Sequence, residues 1–267
     1  MSDHIASVEP GAAGHAPVLV GLAHGSRDPR AAVTIAEVMA AAAALRPGLV
    51  AVPAFLDLAS PDLREAVEKV QAQDGAQAAV VLPLLFTEAF HATVDVPEAV
   101  AETAEATGVE LTVGRILGMG DEVLAALVDT AAAAGIGADD GILLLAVGSS
   151  RATANQAVHE LAARWAATRP GPVQAGFATM DTPEAPSAAS VIRRLAGTGG
   201  RVGIVPLFLA PGLLLDQVAD KAAALVPDGQ VRVAAPLGTA LAGLVLRRYD
   251  EARADEARAD EAGEDLT

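Results

Sequence analysis

The run Leu19-Val20-Gly21-Leu22-Ala23-His24-Gly25-Ser26-Arg27-Asp28-Pro29-Arg30 decides the fold. An uncharged apolar stretch gives way at once to a histidine, a glycine, a hydroxyl and a guanidinium. That is the pattern of a buried parallel strand opening into a loop at its carboxyl end. In an open α/β sheet this edge is where ligands bind, so His24 is the first candidate for chemistry.

Outward from this run the chain alternates. Val18–Ala23 reads as a strand, Ala31–Leu45 as an alanine-rich helix started by Asp28-Pro29, Val50–Leu56 as a second strand, Pro61–Gln73 as a helix and Ala78–Leu85 as a third strand. A loop holding His91 then leads to a helix over Val96–Ala106, a strand over Val109–Arg115 and a helix over Gly120–Ala133. Strands and helices of these lengths predict right-handed βαβ units on a parallel sheet.

Past the glycine-rich stretch 135–141 the sequence repeats itself. Ile142-Leu143-Leu144-Leu145-Ala146-Val147-Gly148-Ser149-Ser150-Arg151 matches the opening run, with Ser150 on Ser26, Arg151 on Arg27 and Gly148 on His24. Val205-Pro206-Leu207-Phe208-Leu209 answers Leu82-Pro83-Leu84-Leu85-Phe86, Pro236-Leu237-Gly238 answers Ile116-Leu117-Gly118, and Thr182-Pro183 answers Ser60-Pro61. Landmarks at a nearly constant offset predict two tandem homologous α/β domains, each a small parallel sheet flanked by helices, facing across a cleft. The divisions are a flexible lead-in over 1–16, an N-terminal domain over 17–134, a linker over 135–141, a degenerate second copy over 142–249 and an acidic tail over 250–267. The repeated Asp-Glu-Ala-Arg-Ala units of that tail predict a solvated, frayed segment, with a charged helical extension as the alternative. The second copy lacks both histidines, since His24 falls on Gly148 and His91 near Leu214. Chemistry therefore belongs to the first copy.

Composition narrows the rest. With 52% hydrophobic residues over 267 positions the chain builds a real core, and with one Trp, one Tyr and five Phe that core is aliphatic. Cysteine is absent, which removes disulfides, thiolate metal sites and a cysteine nucleophile. The net charge of −16 argues against a nucleic-acid partner. No basic stretch leading into an apolar one opens the chain and no apolar run reaches membrane length, so a cytoplasmic protein without a membrane partner is expected.

His24 and His91 each follow a strand, and Asp57 ends the second strand on the same expected rim. Two imidazoles and a carboxylate without a thiol suit a borderline divalent metal such as Fe, Co, Ni or Zn. Glu88, three residues before His91, is a further candidate ligand. Equally, a lone loop histidine serves as a cap or surface residue, and Asp57 as a helix cap. Ser26, Arg27 and the backbone N–H groups of the Gly25 loop offer donors to a carboxylate or phosphate, while Arg27 can instead bridge to Asp28 or Asp95. No phosphate-binding glycine fingerprint follows a strand, so ATP and NAD are not expected.

The loop His24-Gly25-Ser26-Arg27-Asp28-Pro29, paired with Phe86-Thr87-Glu88-Ala89-Phe90-His91-Ala92-Thr93-Val94-Asp95-Val96-Pro97, resembles the sirohydrochlorin cobalt/iron chelatases, the class II tetrapyrrole chelatases, in their two-domain form. The similarity runs from about Val18 to Arg248. It implies ATP-independent insertion of Fe(II) or Co(II) into sirohydrochlorin, for siroheme or cobalamin, with the metal as substrate and no organic cofactor. It also implies that His24, His91 and Asp57 bind the metal, with both histidines catalytic; Ser26, Arg27 and Arg151 are then the candidate partners of the substrate carboxylates in the cleft. Two positions depart from the family pattern: Asp57 stands where glutamate is common, and Ala89-Phe90-His91 stands where Gly-Arg-His is frequent. The runner-up reading is a non-catalytic tetrapyrrole or metal carrier. Because the internal repeat already closes a cleft, a monomer is expected.

Overall fold

The computed structural model describes residues 16–87, 95–197, 199–226 and 230–264. Two four-stranded parallel sheets form, one from each half. The first comprises β1 (Val18–Ala23), β2 (Ala51–Phe55), β3 (Ala78–Pro83) and β4 (Glu110–Val113) in the order β2-β1-β3-β4. The second comprises β5 (Gly141–Ala146), β6 (Val173–Phe177), β7 (Val202–Pro206) and β8 (Val231–Val233) in the equivalent order β6-β5-β7-β8. The α/β class and the tandem repeat expected from the sequence are both present.

All six residues of β1 and all six of β5 are buried, as uncharged central strands covered on both faces must be. In the order β2-β1-β3-β4 the chain leaves β1 toward one side and β3 toward the other, so the loops after these two strands part and leave a crevice. Helix α1 (Pro29–Ala44) starts as the Asp28-Pro29 pair predicts, with the Asp28 carboxylate accepting from the Arg30 N–H at 3.0 Å. Helices α2 (Leu63–Asp74) and α3 (Val96–Thr107) complete the first βαβ units. Helices α5 (Ala152–Ala166), α6 (Ala188–Ala196) and α7 (Leu213–Leu225) repeat them in the second half.

The remaining two helices cross over. Helix α4 (Asp121–Ala133), supplied by the first half, packs against β7 of the second sheet, whereas α8 (Ala242–Glu264), the last element of the chain, packs against β3, β4 and α1. Packing thus crosses the divisions at 134 and 249, with each half lending a helix to the other. Leu19, Met39, Val80 and Leu82 join Leu144, Val158 and Phe177 in one buried cluster that spans both halves through Leu117, Leu127, Leu241 and Val245. Two smaller clusters each stay within one half.

Residues 250–264 differ from the frayed tail expected of their composition: they continue α8 without a break. Tertiary anchors hold the helix. Tyr249 is fully buried and its hydroxyl donates to the Pro17 carbonyl at 2.7 Å, Arg46 grips Asp250 at 2.6 and 2.7 Å, and the Thr112 hydroxyl donates to Glu256. The helical alternative prevails because Val245, Tyr249 and Ala252 form an apolar stripe that finds a sheet to cover.

The structure also corrects the register of the repeat. Gly25 and Gly148 have φ of 98° and 104°, and Asp28 and Arg151 are the two equivalent helix N-caps, each donating its N–H to a serine Oγ two residues earlier at 3.1 Å. His24 thus answers Val147, Ser26 answers Ser149, and Arg151 answers Asp28. Arg27 falls on Ser150. Matching the two Ser-Arg pairs shifts the alignment by one, whereas the backbone obeys the left-handed glycine. Likewise Pro61 answers Pro186, not Pro183, since their carbonyls accept from Phe55 and Phe177 at 3.0 Å each. The pairing of Pro83 with Pro206 holds, with Leu84 and Leu207 donating to Leu22 and Leu145 at 2.8 Å each.

Candidate functional site

The loop after β1 is built around Gly25. Its φ is left-handed and a Cβ there would run into the Asp57 carbonyl oxygen, so only glycine lets the two loops approach. The approach is fastened by the Asp57 N–H donating to the His24 carbonyl at 3.0 Å. His24 and Asp57 therefore stand on adjacent strand ends, both exposed, and line a common cavity of about 270 Å³. Asp95, Glu98 and Glu102 line it too, a concentration of acids around one imidazole that no sequence motif announces. Among the described residues no group of three or more His, Asp or Glu side chains converges closely enough to hold a metal ion. His91 and Glu88, the other expected ligands, lie outside the described residues.

His24 also lines two cavities between the halves. One, about 430 Å³, reaches across to Val147, Gly148, Ser149 and Phe177; the other, about 570 Å³, is bounded by Ser26 and Arg27 on one side and by 207–214 on the other. His24 is the residue common to all three.

Ser26 is engaged locally, its Oγ accepting from the Asp28 N–H, and Ser149 does the same in the repeat, so both shape their loops. The Asp28 carboxylate does not hold Arg27. Arg30 grips it instead, at 2.5 to 3.1 Å, and reaches Asp216 on α7 at 2.5 Å. Those hydrogen bonds keep the Asp28 carboxyl below the usual carboxylate range and push the Arg30 guanidinium up. Arg27 is exposed at the wall of the 570 Å³ cavity, whereas Arg151, an N-cap, is absent from the walls of these cavities. His159 on α5 has a packing role, with Nε2 2.9 Å from the Glu184 carbonyl and its ring edge-on to Phe177 at 5.5 Å.

Leu58 carries a feature invisible in sequence. Its φ is 60°, the sole positive value at a non-glycine residue among the described residues, and its side chain is 45% exposed. A left-handed backbone costs a leucine about 1–2 kcal/mol. The Asp57 carboxylate accepts from the Leu58 N–H at 2.7 Å and supports the turn. Leu58 lines the 570 Å³ cavity, as does Leu213, the first residue of α7, which is 58% exposed.

Fold and site together define a class: an α/β protein of two equivalent halves whose sheets open toward a shared cleft, with the His24 loop at the junction. More particularly, the chain belongs to the CbiX family, whose sequence pattern matches it twice, over residues 18–134 and 141–252. It is similar in structure to SirB from Bacillus subtilis with Fe3+ (TM-score 0.73, 23% identity, covering 90% of this chain and 97% of that one). The sirohydrochlorin chelatase SirB from Bacillus subtilis subspecies spizizenii in complex with cobalt gives a TM-score of 0.72 at 22% identity, with the same coverage. A third similar structure is CbiX, the terminal enzyme for biosynthesis of siroheme in denitrifying bacteria (TM-score 0.64, 20% identity, 89% of this chain and 99% of that one). No curated protein matches the chain.

Proposed function

We propose that the protein is a sirohydrochlorin chelatase that inserts Fe(II) or Co(II) without ATP, acting as a cytoplasmic monomer. The observation that carries the reading is the position of His24, where an acidic cavity within the first half meets two cavities between the halves. Family membership and the activities of the similar structures support it.

Insertion exchanges the two charges of the ion for the two pyrrole N–H protons of the macrocycle. The ion must be held by weak, replaceable donors and the protons must meet a base. A neutral imidazole serves both needs near pH 7, and the reading assigns these roles to His24 and His91. Asp57 orients or ligates the ion from the neighbouring strand end. The macrocycle lies between the halves, where Arg27 and the donors of the Ser26 loop meet its carboxylates. Arg151, the N-cap of α5 in the second half, lines none of these cavities and is given no contact in this reading.

The test is direct. Mixing the protein anaerobically with sirohydrochlorin and Co(II), then Fe(II), and following the visible spectrum should show insertion faster than in protein-free buffer. Binding of the macrocycle without acceleration would make the protein a carrier, and no binding would remove the reading altogether.

A further inference from the structure

From its backbone and its surroundings we infer that Leu58 is a substrate-contacting residue: with Leu213 it forms an apolar clamp, one leucine from each half, for the flat face of the macrocycle. The inference rests on the chelatase reading and deepens it.

The second half holds the counterpart of Leu58 in the repeat. The Asp57 N–H donates to the His24 carbonyl and the Thr179 N–H donates to the Val147 carbonyl, each at 3.0 Å, so Asp57 answers Thr179 and Leu58 answers Met180. Met180 does what an apolar residue ordinarily does at this point: it is partly buried against the common core, over Gly148, and its φ is not positive. Leu58 is left-handed and 45% exposed. The first-half loop is shorter, reaching its helix cap at Asp62 where the second half reaches Ser187, and the tight turn calls for a left-handed residue. Glycine or asparagine would meet that need without strain. A leucine gains no backbone relief there and leaves 45% of its surface exposed in the free protein, so its apolar side chain is explained by something that covers the remainder.

The surroundings say what. Leu58 and Leu213 line the same cavity of about 570 Å³ as His24 and Arg27. A ligand filling it meets aliphatic side chains from both halves, one imidazole at the reacting centre and one guanidinium. That is complementary to a ring with apolar faces and carboxylates on its edge, and not to a small hydrophilic ion alone.

Leu58→Gly separates this role from a structural one, because glycine suits a φ of 60°. The variant should melt no lower than the wild type, within a few degrees, while the Kd for metal-free sirohydrochlorin, read by its visible and fluorescence spectra, weakens about fivefold to tenfold. In turnover the KM for sirohydrochlorin should rise and that for Co(II) should not. Leu58→Met should restore binding, Leu213→Ala should weaken it, and Leu45→Ala, at an exposed leucine outside the cleft, should change nothing. A Leu58→Gly variant that binds within twofold of wild type, that melts well below it, or that raises both KM values together overturns the inference. Failure of the wild-type protein itself to bind sirohydrochlorin would instead overturn the chelatase reading beneath it.

Discussion

At the scale of single residues, His24 is distinguished by asymmetry. Its structural counterpart is Val147, in a loop with the same left-handed glycine and the same serine-to-N-cap hydrogen bond, so the loop folds without an imidazole. His24→Ala should therefore lower the rate of cobalt insertion about a hundredfold or more while shifting the melting temperature by no more than about a degree or two, since an exposed ring contributes little burial. Stopped-flow spectra of insertion and a thermal melt of the same sample check both halves of this expectation. His24 was legible because it ended an apolar strand, and Asp57 because it ended the next. Leu58 was not, because a positive φ leaves no mark when the residue is neither glycine nor asparagine. The false pairing of Arg151 with Arg27 has the converse origin: identical side chains in the two copies occupy different backbone positions, and conformation is set by Gly25 and Gly148.

At the scale of elements, the alternating pattern was readable wherever an element buries one clean face. β1 occupies the expected residues, and α1 begins at the Asp28 cap that its sequence advertises. Residues 250–264 read as a frayed tail in preference to a helical extension because charged repeats look the same whether a helix is solvated or docked; the difference lies in Tyr249, which must find a partner for its hydroxyl. Burial pushes the Tyr249 phenol above its ordinary range. A group whose pKa is raised by folding stabilises the fold below its unfolded pKa and loses that contribution as the pH rises through its folded one. Tyr249→Phe should thus cost about 1–2 kcal/mol at neutral pH by stranding the Pro17 carbonyl, and the gap to wild type should narrow above about pH 10. Urea unfolding at the two pH values reads this out; a constant gap would contradict the assignment.

At the scale of the molecule, the duplication was legible from landmark spacing, but the exchange of α4 and α8 was not. An amphipathic helix presents the same apolar stripe to either sheet, so sequence pattern does not say which one it covers. Ion pairs now tie the crossing helices: Arg247 to Glu122, and Arg164 to Asp121 at 2.6 Å. With one buried cluster continuous through both halves, calorimetry should record a single transition whose van't Hoff and calorimetric enthalpies agree. Two separated transitions would mean that the halves are independent after all.

The crossing of α8 onto β3 and β4 also bears on how the chain is made. During synthesis the first sheet is complete in sequence by Val113, yet the helix that covers part of it begins only at residue 242, after the whole second sheet. The face awaiting Tyr249 stays uncovered on the ribosome until the whole second sheet has been synthesised, while α4 waits in turn for β7. The nascent first half is thus the aggregation-exposed stage of this protein's life, and it lasts until residues 242–264 are available to dock.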